Sequence, residues 1–301
     1  MDPAPGSRPE QGAGAASVSV VIPCFDHGHY LGEAIESVLA QTMAAAEVLV
    51  VDDGSRDTSF EVAGRYPVRR LRLENSGPAA ARNAGLEAAS HDFVVFLDAD
   101  DRLLPQALEI GASALSRRPH VAFVSGMSCD IGADGGRLFS ERQPLVTQDH
   151  YLRLLEDCFI WSGSSIAHRR SALESIGGFD EGFSSGEDYD LYLRLARRFP
   201  VFCHDAAVTE YRRHARNTTR DPAVVLTSQL EVLRRQRPLL RDRRERTARM
   251  RGIRNTRERH GRALARQTAL AWRGRRWRGA LRGAGTLARR APRSLASLLA
   301  A

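Results

Sequence analysis

Val48-Leu-Val-Val51 runs straight into Asp52-Asp53-Gly54-Ser55, and Phe93-Val-Val-Phe-Leu97 runs straight into Asp98-Ala99-Asp100-Asp101. Each is an apolar run of strand length ending in carboxylates. Working outward, Val18 to Ile22 and Val68 to Leu73 also read as strands, while Tyr30 to Leu39, Pro78 to Ala89 and Pro105 to Leu115 read as helices. Strands alternating with helices predict an α/β fold, a mostly parallel sheet flanked by helices. Ligands of such sheets bind beyond the carboxyl ends of the strands. The two motifs therefore place five carboxylates, Asp52, Asp53, Asp98, Asp100 and Asp101, at one rim. Taken singly, Asp-Gly-Ser could be a plain turn and Asp101 a helix N-cap. Together they crowd like charges that a cation or hydrogen-bond donors must compensate, and hard divalent metals prefer such oxygen ligands. A Mg2+ or Mn2+ site holding a diphosphate is the simplest expectation.

The rest of the composition bounds the alternatives. At 301 residues the chain is long enough for about two structural units of ~150 residues. Its 43% hydrophobic and 27% charged residues are ordinary globular values, and no uncharged apolar run approaches the ~20 residues of a bilayer-crossing helix. The net charge of +8 is an average: residues 1–231 sum to −11 and residues 232–301 to +19. All 44 basic residues are Arg, so no single Arg is by itself a functional signal. Cys24, Cys129, Cys158 and Cys203 are scattered without a CxxC pair, and read as reduced thiols of a cytoplasmic protein. Residues 1–16, rich in Pro, Gly and Ala, read as a disordered lead-in without a signal peptide's apolar stretch.

Two phosphate-binding devices are excluded on sequence. The first strand-to-helix turn, Pro23-Cys24-Phe25-Asp26-His27-Gly28, lacks GxGxxG, and a Walker loop needs the Lys that this chain does not have. Phosphate must be met by metal, Arg or helix amino termini.

Seven segments in order now carry a resemblance. They are Val18-Ser-Val-Val-Ile-Pro-Cys-Phe25; Tyr30-Leu31 leading to Ser37-Val-Leu-Ala-Gln41; Val50-Val-Asp-Asp-Gly-Ser55 with Asp57; and Asn75-Ser-Gly77 with Ala81-Arg-Asn-Ala-Gly85. Phe96-Leu-Asp-Ala-Asp-Asp101, Gly177-Gly-Phe-Asp180 and Gly186-Glu-Asp-Tyr-Asp190 complete the set. Over residues 17–215 the chain resembles the inverting glycosyltransferases of family 2, which have the GT-A fold. The resemblance implies a GT-A-like catalytic domain over 17–221 and leaves an Arg-rich helical extension over 222–301.

The resemblance also implies roles. Pro23, Asp52 and Asp53 match positions lining the nucleotide pocket, and Arg82 a basic position near the nucleotide. Asp98 and Asp100 match the DxD motif, with Asp100 the foremost metal ligand; His214 matches a position approaching the diphosphate or metal. Glu187-Asp188 opens a helix expected over Tyr189 to Phe199, and Asp188 matches the catalytic base, although acids favour a helix start for electrostatic reasons alone. Base chemistry makes sense there, because an acceptor hydroxyl is a poor nucleophile until a positioned carboxylate takes its proton. Trp161 is either an acceptor-side aromatic or a packed core residue. Asp26, where the family often has Asn, and the apolar spacer Met43 to Ala46 depart from the pattern without removing a carboxylate.

The implied partners are a nucleotide-diphospho-sugar donor and a carbohydrate or lipid-linked acceptor, in cell-surface polysaccharide or glycolipid synthesis. The competing reading is a non-catalytic sugar-nucleotide- or membrane-binding protein on the same scaffold. For the tail, Gly274, Gly279, Gly283, Gly285 and Pro292 predict short helices. Such a tail could cover the catalytic domain, lie on the anionic inner face of the plasma membrane with Trp272 and Trp277 at the interface, or bind nucleic acid. The last is disfavoured, since no readout motif accompanies the charge.

Overall fold

The computed structural model describes residues 17–139 and 143–299, so the expected lead-in lies outside the described residues. Strands β1 (Val18–Cys24), β2 (Glu47–Asp52), β3 (Arg69–Arg72), β4 (Phe93–Phe96), β5 (Arg102–Leu103), β6 (Phe123–Gly132), β7 (Ile166–Arg169) and β8 (Phe202–Arg213) form one sheet. Their order is β3-β2-β1-β4-β7-β6-β8-β5. The half read from the sequence is wholly parallel: Val20 lies opposite Val48 on one side and Val95 on the other. Beyond β4 the sheet is mixed, since β7 is antiparallel to both β4 and β6, and β8 runs parallel to β6.

Both faces of the parallel half are buried, and successive residues go to opposite sides. Val21, Leu49, Val51, Val94 and Phe96 join one apolar cluster; Val20, Ile22, Val48, Val50, Phe93 and Val95 join the other. A strand covered on both faces needs no polar alternation, which is why these segments read as unbroken apolar runs. The Arg-rich β3 is the edge, where charge discourages further pairing.

Helices α1 (Gly28–Leu39), α2 (Ser59–Ala63), α3 (Pro78–Ala88), α4 (Ala107–Ser116), α5 (His150–Glu156), α6 (Arg170–Ser175) and α7 (Glu187–Arg198) flank the sheet. In α1, Leu31, Ala34, Ile35 and Val38 recur at helical spacing and are buried. The tail continues with α8 (Pro222–Arg235), α9 (Arg243–Arg273), α10 (Trp277–Arg290) and α11 (Pro292–Leu299). It is not a separate packing unit, because Val232 and Leu233 of α8 and Ala248 of α9 enter the catalytic domain's main cluster. Leu226, Leu264, Leu287 and Ala291 form a smaller core among the tail helices.

Of the expected breaks, Gly274 caps α9 and Pro292 opens α11, whereas Gly279, Gly283 and Gly285 lie inside α10, and the 31-residue α9 is not short. A Cβ at Gly283 would overlap the hydroxyl of Thr268, so this glycine permits a close crossing of α10 over α9. Close packing offsets the ~1 kcal/mol that a mid-helix glycine costs. No helix among the described residues is long and apolar enough to cross a membrane. All four cysteines are free thiols.

Candidate active site

The rim carboxylates divide by what meets them. Asp52, at the end of β2, is buried; its Oδ1 accepts the amide of Ser55 at 3.1 Å, shaping the Asp-Gly-Ser turn. Its Oδ2 lies 3.3 Å from Arg72 Nε, close enough for ion pairing but outside hydrogen-bond geometry. Asp53 accepts the amides of Ser76 at 2.6 Å and Gly77 at 2.8 Å, pinning the loop that enters α3. Beside them Pro23, the residue before the last of β1, lies opposite Val51. Asp101 is not a helix N-cap: β5 follows it directly, and it is buried, accepting the amide of Arg212 at 3.0 Å and the hydroxyls of Ser164 at 2.7 Å and Ser162 at 3.2 Å. Burial, with Asp100 and Asp98 nearby, pushes its carboxyl well above the usual range. At Asp52, Asp53 and Asp101, then, backbone amides and hydroxyls compensate the charge in place of a cation.

A second arrangement spans the cleft. Arg82, from α3, donates to Asp98 Oδ1 at 2.6 Å and to Glu187 Oε1 at 2.8 Å. Burial alone would lower its pKa, but Asp98, Glu187 and Asp188 hold it above the ordinary arginine value. This bridge joins the rim of β4 to the start of α7, where Gly186 in the left-handed conformation turns the chain into the helix. Tyr192, Leu193 and Leu195 anchor α7 in the core, and the Tyr189 hydroxyl donates to the carbonyl of Leu154. Asp188 rides on this fixed helix. Its only hydrogen bond among the described residues is accepted from the adjacent amide of Tyr189, at 2.6 Å. Burial, then the neighbouring Glu187 charge, push its carboxyl up to about 6, with Arg82 opposing.

The third arrangement was only partly visible in sequence. His214, just past β8, is buried, and its Nε2 contacts Asp100 Oδ2 at 2.7 Å. His27, from the β1–α1 turn, joins them: ligand atoms of His27, Asp100 and His214 lie within 4.8 Å of one another. Asp98 is not in this group, being turned to Arg82. Fully buried Arg212 braces the cluster by donating to the carbonyl of Asp100 at 2.8 Å and pairing with Glu33 at 2.6 Å. Its guanidinium lies 4.6 Å over the Tyr30 ring, which in turn is 5.2 Å from the His214 ring. Two imidazoles and a carboxylate from three separate segments are a donor set suited to a divalent transition cation.

Trp161 is half-buried and adjoins Ser162, one of the two serines that fix Asp101. Sequence reading missed His27 and Arg212; it grouped Ser162-Gly-Ser-Ser165 with Trp161 on the acceptor side, without their hydrogen bonds to Asp101. The available signal for His27 was its place beyond β1, the same rim rule that selected Asp52 and Asp98.

Comparison with known proteins bears on the family and the fold. Residues 19–177, more than half of the chain, match the family described as "Glycosyl transferase family 2". An uncharacterized glycosyltransferase of Rickettsia felis is 29% identical over 210 residues, covering 68% of this chain and 34% of the relative. One from Nostoc sp. is 31% identical over 173 residues, covering 54% of each chain. The chain thus spans only about a third to a half of the length of these relatives. The crystal structure of S. aureus TarS 1-349 superposes with a TM-score of 0.65 at 20% identity, covering 94% of this chain and 83% of that one. The same protein in complex with UDP-GlcNAc gives 0.63 at 20% identity, covering 79% and 71%. The fold is therefore GT-A-like with a helical carboxyl-terminal region, and the chain belongs to glycosyl transferase family 2.

Proposed function

We propose that the chain is a metal-dependent, inverting glycosyltransferase that moves a sugar from a nucleotide-diphosphate donor to an acceptor hydroxyl. The observation that supports this is the Arg82 bridge, which ties Asp98 of the rim to Glu187, the chain neighbour of Asp188. Asp188 is the base: a carboxyl at about 6 is ionised at neutral pH yet more proton-avid than an ordinary Asp, the compromise general-base catalysis favours. Asp100, His214 and His27 are the residues that would hold the divalent cation, and their two imidazoles suit Mn2+ better than Mg2+, which prefers oxygen ligands. When bound, the cation supplies positive charge to the departing diphosphate.

Asp98 and Arg82 orient the donor, with Pro23, Asp52 and Asp53 on its nucleotide side and Glu187 holding Arg82 in place. Trp161 faces the acceptor, a hydroxyl of a carbohydrate or lipid-linked sugar. Attack by that hydroxyl on the anomeric carbon, opposite the leaving diphosphate, inverts the configuration while Asp188 takes the proton. The TarS structures with UDP and UDP-GlcNAc support a uridine-diphosphate sugar as donor. A thermal-shift screen of sugar nucleotides with and without Mn2+ tests the reading. Stabilisation by a nucleotide sugar that depends on the metal is expected, and no response to any nucleotide would overturn it.

A further inference from the structure

Three arginines of α9 tie it to the catalytic domain: Arg244 pairs with Asp149 at 3.3 Å, Arg251 with Glu156 at 3.0 Å and Arg259 with Asp157 at 2.7 Å. Beyond Glu258 the sequence contains no acid, and none of the ten arginines from Arg262 to Arg293 forms an ion pair among the described residues.

The apolar exposure lies in the same distal half, at the turn between α9 and α10. Leu270 is 62% exposed, Trp272 56%, Trp277 48% and Leu281 65%. The two indoles meet edge to face with centroids 4.9 Å apart, so they form one projecting aromatic unit. Arg273, Arg275, Arg276, Arg278 and Arg282 are its neighbours in sequence.

We infer that this α9–α10 tip is a membrane-docking element that takes the headgroups of anionic phospholipid, with the two Trp and two Leu entering the acyl boundary. Charge complementarity selects the occupant: unpaired guanidinium groups attract anionic headgroups, while large exposed apolar side chains beside them are stabilised only where acyl chains lie underneath. A phosphodiester backbone would satisfy the arginines and leave Leu270 and Leu281 in water.

The direction of α9 gives the element its use. The ion pairs at Asp149, Glu156 and Asp157 show that α9 runs alongside α5 toward Cys158, whose thiol is pushed up by burial and by the nearby Asp188 carboxylate. From Arg259 the helix continues 14 residues, about 21 Å at helical rise, to the tip. A tip carried beyond the end of α5 in this direction would seat the active site against a bilayer presenting its acceptor; this use, though not the lipid chemistry, rests on the proposed transferase reading.

The test is cosedimentation of the full chain with vesicles of phosphatidylcholine alone and of phosphatidylcholine with one-third phosphatidylglycerol, beside the double variant Trp272→Ala/Trp277→Ala. Pelleting with the anionic vesicles only, a blue shift of Trp emission on binding, and about tenfold weaker pelleting of the variant are expected. Failure to pellet, equal pelleting of the variant, or an unshifted emission would overturn the proposal. So would lipid-free self-association that the variant abolishes, which would assign the face to a second copy of the chain. Circular dichroism of the variant checks its fold, and nucleotide-sugar thermal shift without vesicles reads the transferase proposal separately.

Discussion

His214 Nε2 stands 2.7 Å from Asp100 Oδ2, closing a contact between residues 114 positions apart in the chain. The contact is made because β5, the edge strand that follows Asp101, pairs with β8, and Arg212, two residues before His214, is locked to the carbonyl of Asp100. Asp100→Asn keeps the shape of this junction while removing the charge a cation needs. Titrating Mn2+ in the presence of a sugar nucleotide, followed by thermal shift, should show more than about a tenfold weaker metal response in D100N, and a smaller weakening in His27→Ala. An unchanged metal response in D100N would remove Asp100 from the metal site.

Asp188→Asn should lower turnover by about 10²- to 10⁴-fold while leaving donor binding intact, because the base acts in the chemical step and not in holding the nucleotide. The wild-type enzyme supplies the pH test. With the carboxyl at about 6, the active ionised form is lost as pH falls through that value, so kcat/KM should drop with unit slope below pH 6 and be level above it. A profile flat down to pH 5 would contradict the assignment, and so would loss of donor binding in a folded D188N.

Arg82→Gln tests the bridge. It leaves Asp98 and Glu187 facing each other without their cation, and Asp188 without the charge that opposes its upward shift. A loss of about 3 kcal/mol is expected, the lower end for a broken buried pair because Asp98 keeps a third of its side chain open to solvent. The acid limb of the pH profile of the residual activity should move to higher pH than in the wild type. Unchanged urea unfolding together with an unmoved acid limb would show the bridge to be incidental.

How far the sequence could be read depends on where each signal resides. The parallel half of the sheet was legible because β1, β2 and β4 carry their own unbroken apolar runs, and the helix that Glu187 and Asp188 open because its apolar face is periodic; the role given to Asp188 came from the family resemblance instead. The antiparallel insertion of β7 was not, since Ile166-Ala-His-Arg169 is short and takes its direction from neighbours distant in sequence. The partition of the five rim carboxylates was equally hidden. Nothing near Asp101 in sequence announces that Ser162, Ser164 and Arg212 will satisfy it, whereas Asp100 next to it is left for His27 and His214.

His168 in β7 shows a consequence of that hidden sheet. It packs against Phe96 at 5.6 Å and Phe123 at 5.9 Å, both ring nitrogens lack a hydrogen-bond partner among the described residues, and the backbone of Val94 approaches outside hydrogen-bonding geometry. Burial pushes its pKa down to about 3. The unfolded chain takes up this proton below about 6.5, so the stability is fully present above that pH and falls by about 1.4 kcal/mol per unit as pH drops toward 3. Between pH 7 and pH 5 the wild type should lose about 2 kcal/mol that His168→Leu does not, measured by urea unfolding. Equal losses in the two proteins would assign the acid sensitivity elsewhere.

Gly252→Ala sets helix propensity against packing in α9. Within a helix the change to Ala is worth about 1 kcal/mol in favour of folding. Here the added Cβ would overlap the carbonyl oxygen of Leu155, a backbone atom at the core of the α5–α9 contact that cannot swing aside as a side chain could. Overpacking of this kind costs about 1–3 kcal/mol, so the balance should fall on the side of destabilisation. Hydrogen exchange should quicken selectively over His150–Glu156 and the first turns of α9, as the helix lifts from the catalytic domain, while β1 and β2 stay protected. A more stable G252A with unchanged exchange in α5 would mean that α9 is held by its ion pairs and apolar contacts with room to spare at Leu155.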